Sequence, residues 1–275
     1  MSLKSDRLLL IVASFFAGIH VVGGLYVCSQ AITLWGHSES STLWNSLLST
    51  FHNNWFLLSL YDGTSRSFLC ALLVVFFSVA IYSPLIYSQQ HRLLRSTAFI
   101  FGVVPLLFNF TLRCILWKVL IMGRSIDGVT LKISFLPRDS ELAVLFALLG
   151  QYVPLGLIVL FPQATKVSAS RLWLLRTYTS SYWLALKWEI MPTILFRLFS
   201  IFALVFVLVF TDPVAARVIG GGNATNLTSF VLERFKQNDY GSAAAGAICI
   251  CIVLILFLAI ILSIAIRHSD HEQDN

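Results

Sequence analysis

Residues Phe161 to Pro192 read FPQATKVSASRLWLLRTYTSSYWLALKWEIMP and form a polar, basic segment between two long apolar runs. Loops that carry lysine and arginine stay on the cytoplasmic side of a membrane, and this segment carries Lys166, Arg171, Arg176 and Lys187. The apolar residues among them have a spacing that fits an amphipathic helix pair at the membrane interface: Leu172, Leu175, Tyr182 and Leu186. The segment therefore divides a chain of membrane helices, and it predicts a docking surface for a cytosolic partner.

Composition places the whole chain in the membrane class. Of its 275 residues, 57% are hydrophobic and 12% are charged, whereas a soluble domain is typically about 25% charged. Its 22 phenylalanines and seven tryptophans suit lipid contact and interfacial anchoring. The net charge of +6 comes from scattered residues, so it does not indicate nucleic-acid binding. The five cysteines form no CxxC pair and the histidines lack zinc spacing, so we expect no disulfide framework and no metal site.

Six apolar runs are long enough to cross a bilayer, which takes about 20 residues. They cover residues 8–33, 66–88, 95–122, 141–161, 190–211 and 241–266. With the amino terminus inside, and with Arg95 counted, the inner segments carry nine lysines and arginines and the outer loops carry six. The sequence therefore predicts an all-α polytopic membrane protein of about six transmembrane helices. A cytoplasmic loop joins the fourth helix to the fifth, and both termini are cytoplasmic.

The predicted outer loops have features of their own. Residues 34–65 contain three tryptophans, which suits a helix on the membrane surface: Trp35, Trp44 and Trp55. Asp212-Pro213 predicts a turn at the entry to the last outer loop. The pattern SFVLERFKQNDY, which follows three glycines in that loop, predicts a short external helix. The polar segment 267–275 is expected to be a disordered tail.

Four segments, in this order, carry a resemblance to a known family. They are the apolar helix that ends in Pro84-Leu-Ile-Tyr87, the run Val104 to Trp117, the loop end Trp183 to Pro192, and the stretch from Thr211-Asp212-Pro213 through three glycines and Thr228 to Gly241-Ser-Ala-Ala-Ala. Over roughly 64–266 the chain resembles the membrane-spanning permease subunit of a type I binding-protein-dependent ABC importer. The most similar branch is that of the spermidine/putrescine permeases.

The resemblance implies an organisation and a set of partners. Residues 1–63 would form an N-terminal transmembrane helix and an external loop, 64–266 the permease core, and 267–275 the cytoplasmic tail. The partners would be a second permease subunit, the same or different, two ATPase subunits, a periplasmic binding protein and the lipid of a bacterial inner membrane. ATP and Mg²⁺ would bind the partner ATPase, because this chain has no GxxxxGK[ST] loop, no catalytic set and no cofactor motif. The family implies a polyamine-type cargo, although the pathway has few acidic groups.

Under this resemblance the loop 166–187 would seat in a groove of the ATPase, through Arg171, Trp173, Leu174, Arg176, Tyr178 and Trp183. The Glu-Ala-Ala signature of the family falls on Trp173-Leu174-Leu175, and its glycine falls on Thr179. The loop is therefore kept while its signature residues are absent. The alternative is an amphipathic helix that rests on lipid headgroups.

Four polar residues within apolar runs are candidates for the translocation pathway: Asn109, Thr111, Arg113 and Gln151. Charge inside a bilayer is costly and usually faces protein or water. Arg113 could equally pair two helices or extend toward the outer surface, and the other three could form hydrogen bonds between helices. Two other functions stay open: a secondary carrier, which would need acids near the membrane centre, and a lipid-modifying enzyme, which would need clustered catalytic groups.

Overall fold

The computed structural model describes residues 49–87, 100, 104, 109–122, 125–126, 129–130, 140–161, 177, 182–220 and 226–273. Eight helices have both ends in this part of the chain: α1 (Asn54–Tyr87), α2 (Phe110–Met122), α3 (Glu141–Leu160), α4 (Tyr182–Ala185), α5 (Met191–Phe210), α6 (Val214–Ile219), α7 (Leu227–Lys236) and α8 (Tyr240–Gln273). A π-helical turn, Leu186–Ile190, joins α4 to α5. Two short antiparallel strands, β1 (Ser125–Ile126) and β2 (Val129–Thr130), follow α2.

Three of the helices are long and apolar enough to cross a membrane, namely Asn54–Pro84, Glu141–Leu160 and Tyr240–Phe257. At about 1.5 Å per residue, a span of about 20 residues covers the hydrocarbon core. A shorter apolar stretch, Ile194–Phe210, lies in α5. An all-α architecture with several apolar helices is thus confirmed for the described part of the chain. The predicted run 8–33 and most of the segment 95–109 lie outside it.

The start of α1 differs from the sequence prediction. The helix begins at Asn54 and not near residue 66, so Trp55 lies in its first turn and not in a separate surface helix. Asn53 precedes the helix, and its Oδ1 accepts a hydrogen bond from the backbone N–H of Trp55 at 2.9 Å. The polar stretch after Asp62 resembles a loop in sequence, but the hydroxyls of Thr64 and Ser67 donate to backbone carbonyls one turn earlier.

The carboxyl-terminal helix is also longer than predicted. Helix α8 continues to Gln273 and so includes most of the segment 267–275, which the sequence predicts to be disordered. No glycine or proline follows Gly246, so no residue of these two types interrupts the helix after that point. The predicted short helix after the glycines is confirmed as α7.

The chain forms two compact units. The first comprises Met1–Ser67, Val207–Arg217 and Ala224–Asn275, and the second comprises Phe68–Phe206 and Val218–Asn223. In the first unit α7 packs against α8, and the buried Phe230 ring lies 5.4 Å from the ring of Phe56. A Cβ added to Gly246 would lie 2.6 Å from Cγ2 of Val231, so only glycine permits this approach of the two helices.

In the second unit α2 packs against α3. The indole of Trp117 covers Gly150, and a Cβ at that glycine would collide with the ring. Ser140 begins α3 as a capping residue, because its Oγ accepts a hydrogen bond from the backbone N–H of Ala143 at 3.2 Å. Pro154 lies inside α3.

Candidate functional site

The end of the predicted docking loop is a continuous helical segment, which we call the entry segment (Tyr182–Ile190). Helix α4 leads into the π-helical turn, and α5 follows at Met191 with Pro192 as its second residue. Pro192 has no backbone N–H and therefore cannot donate the hydrogen bond that a regular α-helix needs at its position. The π-helical turn lies next to this missing donor. The chain therefore enters α5 without leaving helical geometry.

Large aromatic side chains of the entry segment face outward. Trp183 is 74% exposed and Trp188 is 63% exposed, whereas Ile190 is fully buried. The Nζ of Lys187 lies 5.4 Å from the ring centroid of Trp188, within cation–π range. Exposed tryptophans next to a cation are typical of a surface that binds a partner or a membrane interface.

The predicted docking residues are only partly described. Trp183 lies on α4 with its side chain exposed, as a docking residue requires. The other five predicted docking residues lie outside the described residues: Arg171, Trp173, Leu174, Arg176 and Tyr178. The exposed Trp188 was missed, although its place just before the Met-Pro start of an apolar run is a signal that the sequence offers.

A second group of polar residues lies where α2 meets α3. Gln151 is 1% exposed, and its Nε2 donates a hydrogen bond to the Sγ of Cys114 at 3.1 Å. Its Oε1 is buried without a hydrogen-bond partner in the described part of the chain. Gln151 thus forms a hydrogen bond between two helices, which was the predicted alternative to lining the translocation pathway.

Asn109 and Thr111 take part in the start of α2. The Oδ1 of Asn109 accepts a hydrogen bond from the backbone N–H of Thr111 at 2.9 Å, and its carbonyl accepts from the N–H of Arg113. Both side chains are exposed. What the structure shows for Asn109 is therefore a capping role, in which it satisfies donors that a helix start leaves free.

Arg113 lies in the first turn of α2, as its fourth residue. Its Cζ is 5.8 Å from the ring centroid of Phe110, and that ring is 6.5 Å from the ring of Tyr152 on α3. The Nε and Nη1 atoms of Arg113 are buried, and neither has a hydrogen-bond partner among the described residues. A charged donor without a partner is costly, so this position is chemically unsatisfied.

Arg197 is a second buried cation, which the sequence reasoning did not single out. It is 3% exposed in α5, and its Nη1 donates to the carbonyl of Val159 at 3.4 Å. Val159 lies in the last turn of α3, where carbonyls lack helical partners and carry partial negative charge. The lone arginine inside the apolar run 190–211 was the available signal. Arg197 joins the end of α3 to α5.

In the first unit, Asp212 forms the turn that follows α5, as the sequence predicts. Its carboxylate accepts hydrogen bonds from the backbone N–H groups of Val214, at 2.7 Å, and Ala215, at 3.3 Å. Its carbonyl accepts from Nδ2 of Asn226 at 2.9 Å. Burial raises the pKa of Asp212 to about 6, while the two backbone donors act in the opposite direction.

The described residues contain no group of three or more His, Cys, Asp and Glu side chains that could hold a metal ion. No protein-family model matches the chain, and no curated protein sequence matches it. The likeness to importer permeases therefore rests on the residues quoted above.

Proposed function

We propose that this chain is the transmembrane subunit of a type I binding-protein-dependent ABC importer. With a second permease subunit it would form a translocation pathway that opens alternately to each side. Two partner ATPase subunits would bind ATP and Mg²⁺, and a periplasmic binding protein would deliver the cargo. The observation that carries the proposal is the exposed entry segment, which continues directly into the apolar helix α5.

The entry segment has the mechanical property that such coupling needs. From Tyr182 to Phe210 the backbone is helical throughout, including the π-helical turn. A displacement at Trp183 is therefore passed to α5, whereas a flexible loop would absorb it. Exposed Trp183 and Trp188 supply apolar area that a groove of an ATPase subunit would bury.

The hydrogen bond from Arg197 to Val159 extends this coupling to a second helix. It lies between the last turn of α3 and the first half of α5. Helix α3 precedes the docking loop in the chain, and α5 follows it. Movement of the loop would thus act on α3 and α5 together, as a transmitted conformational change requires.

The distribution of acids favours an ATP-driven importer over an ion-driven carrier. Such a carrier should hold acidic residues near the membrane centre. Within the described helices, α5 has no acid, and the only acid of α3 is Glu141 at its first position. The span Tyr240–Phe257 has none, and Asp62 lies in the first third of Asn54–Pro84.

The test is affinity purification of the tagged chain from its own host in a mild detergent, followed by an ATPase assay. We expect an ATPase subunit to co-purify, and we expect Trp183→Ala with Trp188→Ala to remove it. Tyr61→Ala is the matched control, because Tyr61 is 71% exposed and lies on another helix, α1. A chain that purifies without ATPase activity would refute the proposal, as would equal loss in the control.

A further inference from the structure

We propose that the first turn of α2 is a binding site for a phosphate-type oxyanion, with Arg113 as its principal ligand. The binding site itself goes beyond the proposed function. The additional step, that the oxyanion is part of the transported cargo, rests on that function. The inference uses two independent observations: the buried, unpaired donors of Arg113 and the direction of the helix in which it lies.

The unpaired donors are the first observation. Nε and Nη1 of Arg113 are buried, and they have no hydrogen-bond partner in the described part of the chain. The two arginines differ at Nη1, since the Nη1 of Arg197 donates to the carbonyl of Val159. Two guanidinium donors that are withdrawn from water and have no acceptor favour a ligand that brings negative oxygens.

The helix start is the second observation. The amino end of an α-helix carries a partial positive charge and binds anions, including phosphate. Arg113 lies in the first turn of the 13-residue helix α2, so its own charge adds to that of the helix end. A cation is unfavourable there on its own, and an oxyanion would compensate both charges at once.

The surroundings make the interaction stronger than it would be in water. Phe110 lies against Arg113, and its ring is 6.5 Å from that of Tyr152. Low polarity around a charge pair increases its attraction. Gln151 is hydrogen-bonded to Cys114, the next residue after Arg113, and keeps one amide atom unpaired within the described part of the chain. Because the Cys114 thiol can donate or accept a hydrogen bond, the Gln151 amide can turn over and stay bonded to it. The amide can therefore present either a donor or an acceptor to a ligand.

This charge also bears on the class of cargo. The described part of α2 contains Arg113 and Lys118 and no acidic residue. A positive helix start with a guanidinium repels a polyamine and attracts an oxyanion. The site therefore favours an anionic cargo, such as a phosphate or phosphonate compound, over the polyamine that the resemblance implies.

Two sources can supply the same chemistry: a free phosphate-type solute and the phosphate of a lipid headgroup. The test therefore has two arms, both on the full chain in nanodiscs. In phosphatidylcholine discs, isothermal titration with inorganic phosphate and with methylphosphonate measures binding of free oxyanion. In discs doped with phosphatidylglycerol, native mass spectrometry counts the anionic lipids retained by each chain.

We expect at least one arm to give saturable binding that Arg113→Gln weakens at least tenfold. Arg113→Lys should weaken binding only a few-fold. This result would show that the loss of binding in Arg113→Gln is not a failure to fold. Lys118→Gln is the matched control on the same helix and should change binding less than twofold. Binding in the first arm identifies a solute, and binding only in the second identifies a lipid. No binding in either arm, or equal loss in Lys118→Gln, overturns the site.

The result is separable from the importer assignment. Capture of an ATPase through the entry segment does not depend on Arg113, so Arg113→Gln should retain it. Loss of oxyanion binding with the ATPase still attached removes the site and leaves the proposed function. Oxyanion binding by a chain that recruits no ATPase leaves the site and removes the proposed function.

Discussion

Gln151 on α3 donates a hydrogen bond to the Sγ of Cys114 on α2 at 3.1 Å, and both residues are buried. Their pairing is a polar contact between the two helices, and Arg113 and Trp117 lie on the same helix as Cys114. It gives the α2–α3 contact a defined register.

The two partners of this bond should respond differently to removal. Cys114→Ala leaves a buried amide without its partner, which costs about 1–3 kcal/mol, whereas Gln151→Leu removes the polar group and should cost less. We expect Cys114→Ala to lower the melting temperature more than Gln151→Leu, and the double variant to recover part of the loss. Additive losses in the double variant would show that the bond contributes nothing.

Gly150 is expected to be intolerant of the smallest side chain. Alanine is favoured over glycine within a helix by about 1 kcal/mol, but its Cβ at this position would collide with the Trp117 indole. Overpacking of this kind costs about 1–3 kcal/mol, so Gly150→Ala should lower the melting temperature. Trp117→Leu in the same chain should restore part of it. A melting temperature that rises in Gly150→Ala would contradict the contact.

Arg234 should matter more for stability than Arg217, although both form ion pairs. Arg234 contacts Asp239 at 3.3 Å, and its Cζ lies 5.3 Å from the ring centroids of both Trp55 and Phe230. Arg217 pairs with Glu233 at 3.4 Å with both side chains substantially exposed. Exposed pairs contribute about 0–1 kcal/mol and each cation–π contact about 0.5–1 kcal/mol or more.

Chemical denaturation should therefore show a loss of about 1–2 kcal/mol for Arg234→Ala and less for Arg217→Ala. Arg234→Lys keeps the charge but loses the planar guanidinium, so an intermediate value is expected. Equal effects of the two alanine variants would show that the aromatic contacts of Arg234 contribute nothing.

Stability should depend on pH through Asp212. Burial raises the pKa of this carboxyl from 3.8 to about 6, so between these values the folded state binds more protons than the unfolded state. Its contribution to stability is therefore fully present below about pH 4 and is lost as pH rises through 6. Compared with Asp212→Asn, the natural chain should lose melting temperature between pH 5 and pH 7. An unchanged difference over that interval would mean that the carboxyl titrates normally.

The sequence was sufficient to predict a helix where the length of an apolar run alone decides the structure. The run 141–161 appears as α3, Glu141–Leu160, and the run 190–211 contains α5, Met191–Phe210. It was misleading at the start of α1, because Asp62, Gly63 and Thr64 have the composition of a loop. Only the structure shows Thr64 donating its hydroxyl to a helical carbonyl.

The candidate sites were predictable to different degrees. The exposure of Trp183 could be expected, since it is an aromatic residue within a polar, basic segment. The partner of Gln151 could not be predicted, because a hydrogen bond between residues 114 and 151 depends on how two helices face each other. Arg113 was identified as unusual from its charge, but its position in a helix start depends on the cap formed by Asn109.

The importer assignment is tested most directly by photo-crosslinking from position 183 in native membrane vesicles. Trp183 is replaced by p-benzoylphenylalanine, with Tyr61 replaced in the same way as a control of similar exposure. The account predicts a crosslink from position 183 to an ATP-binding subunit, changed in yield by ATP, and none from position 61. Crosslinks from position 183 to lipid alone would contradict it.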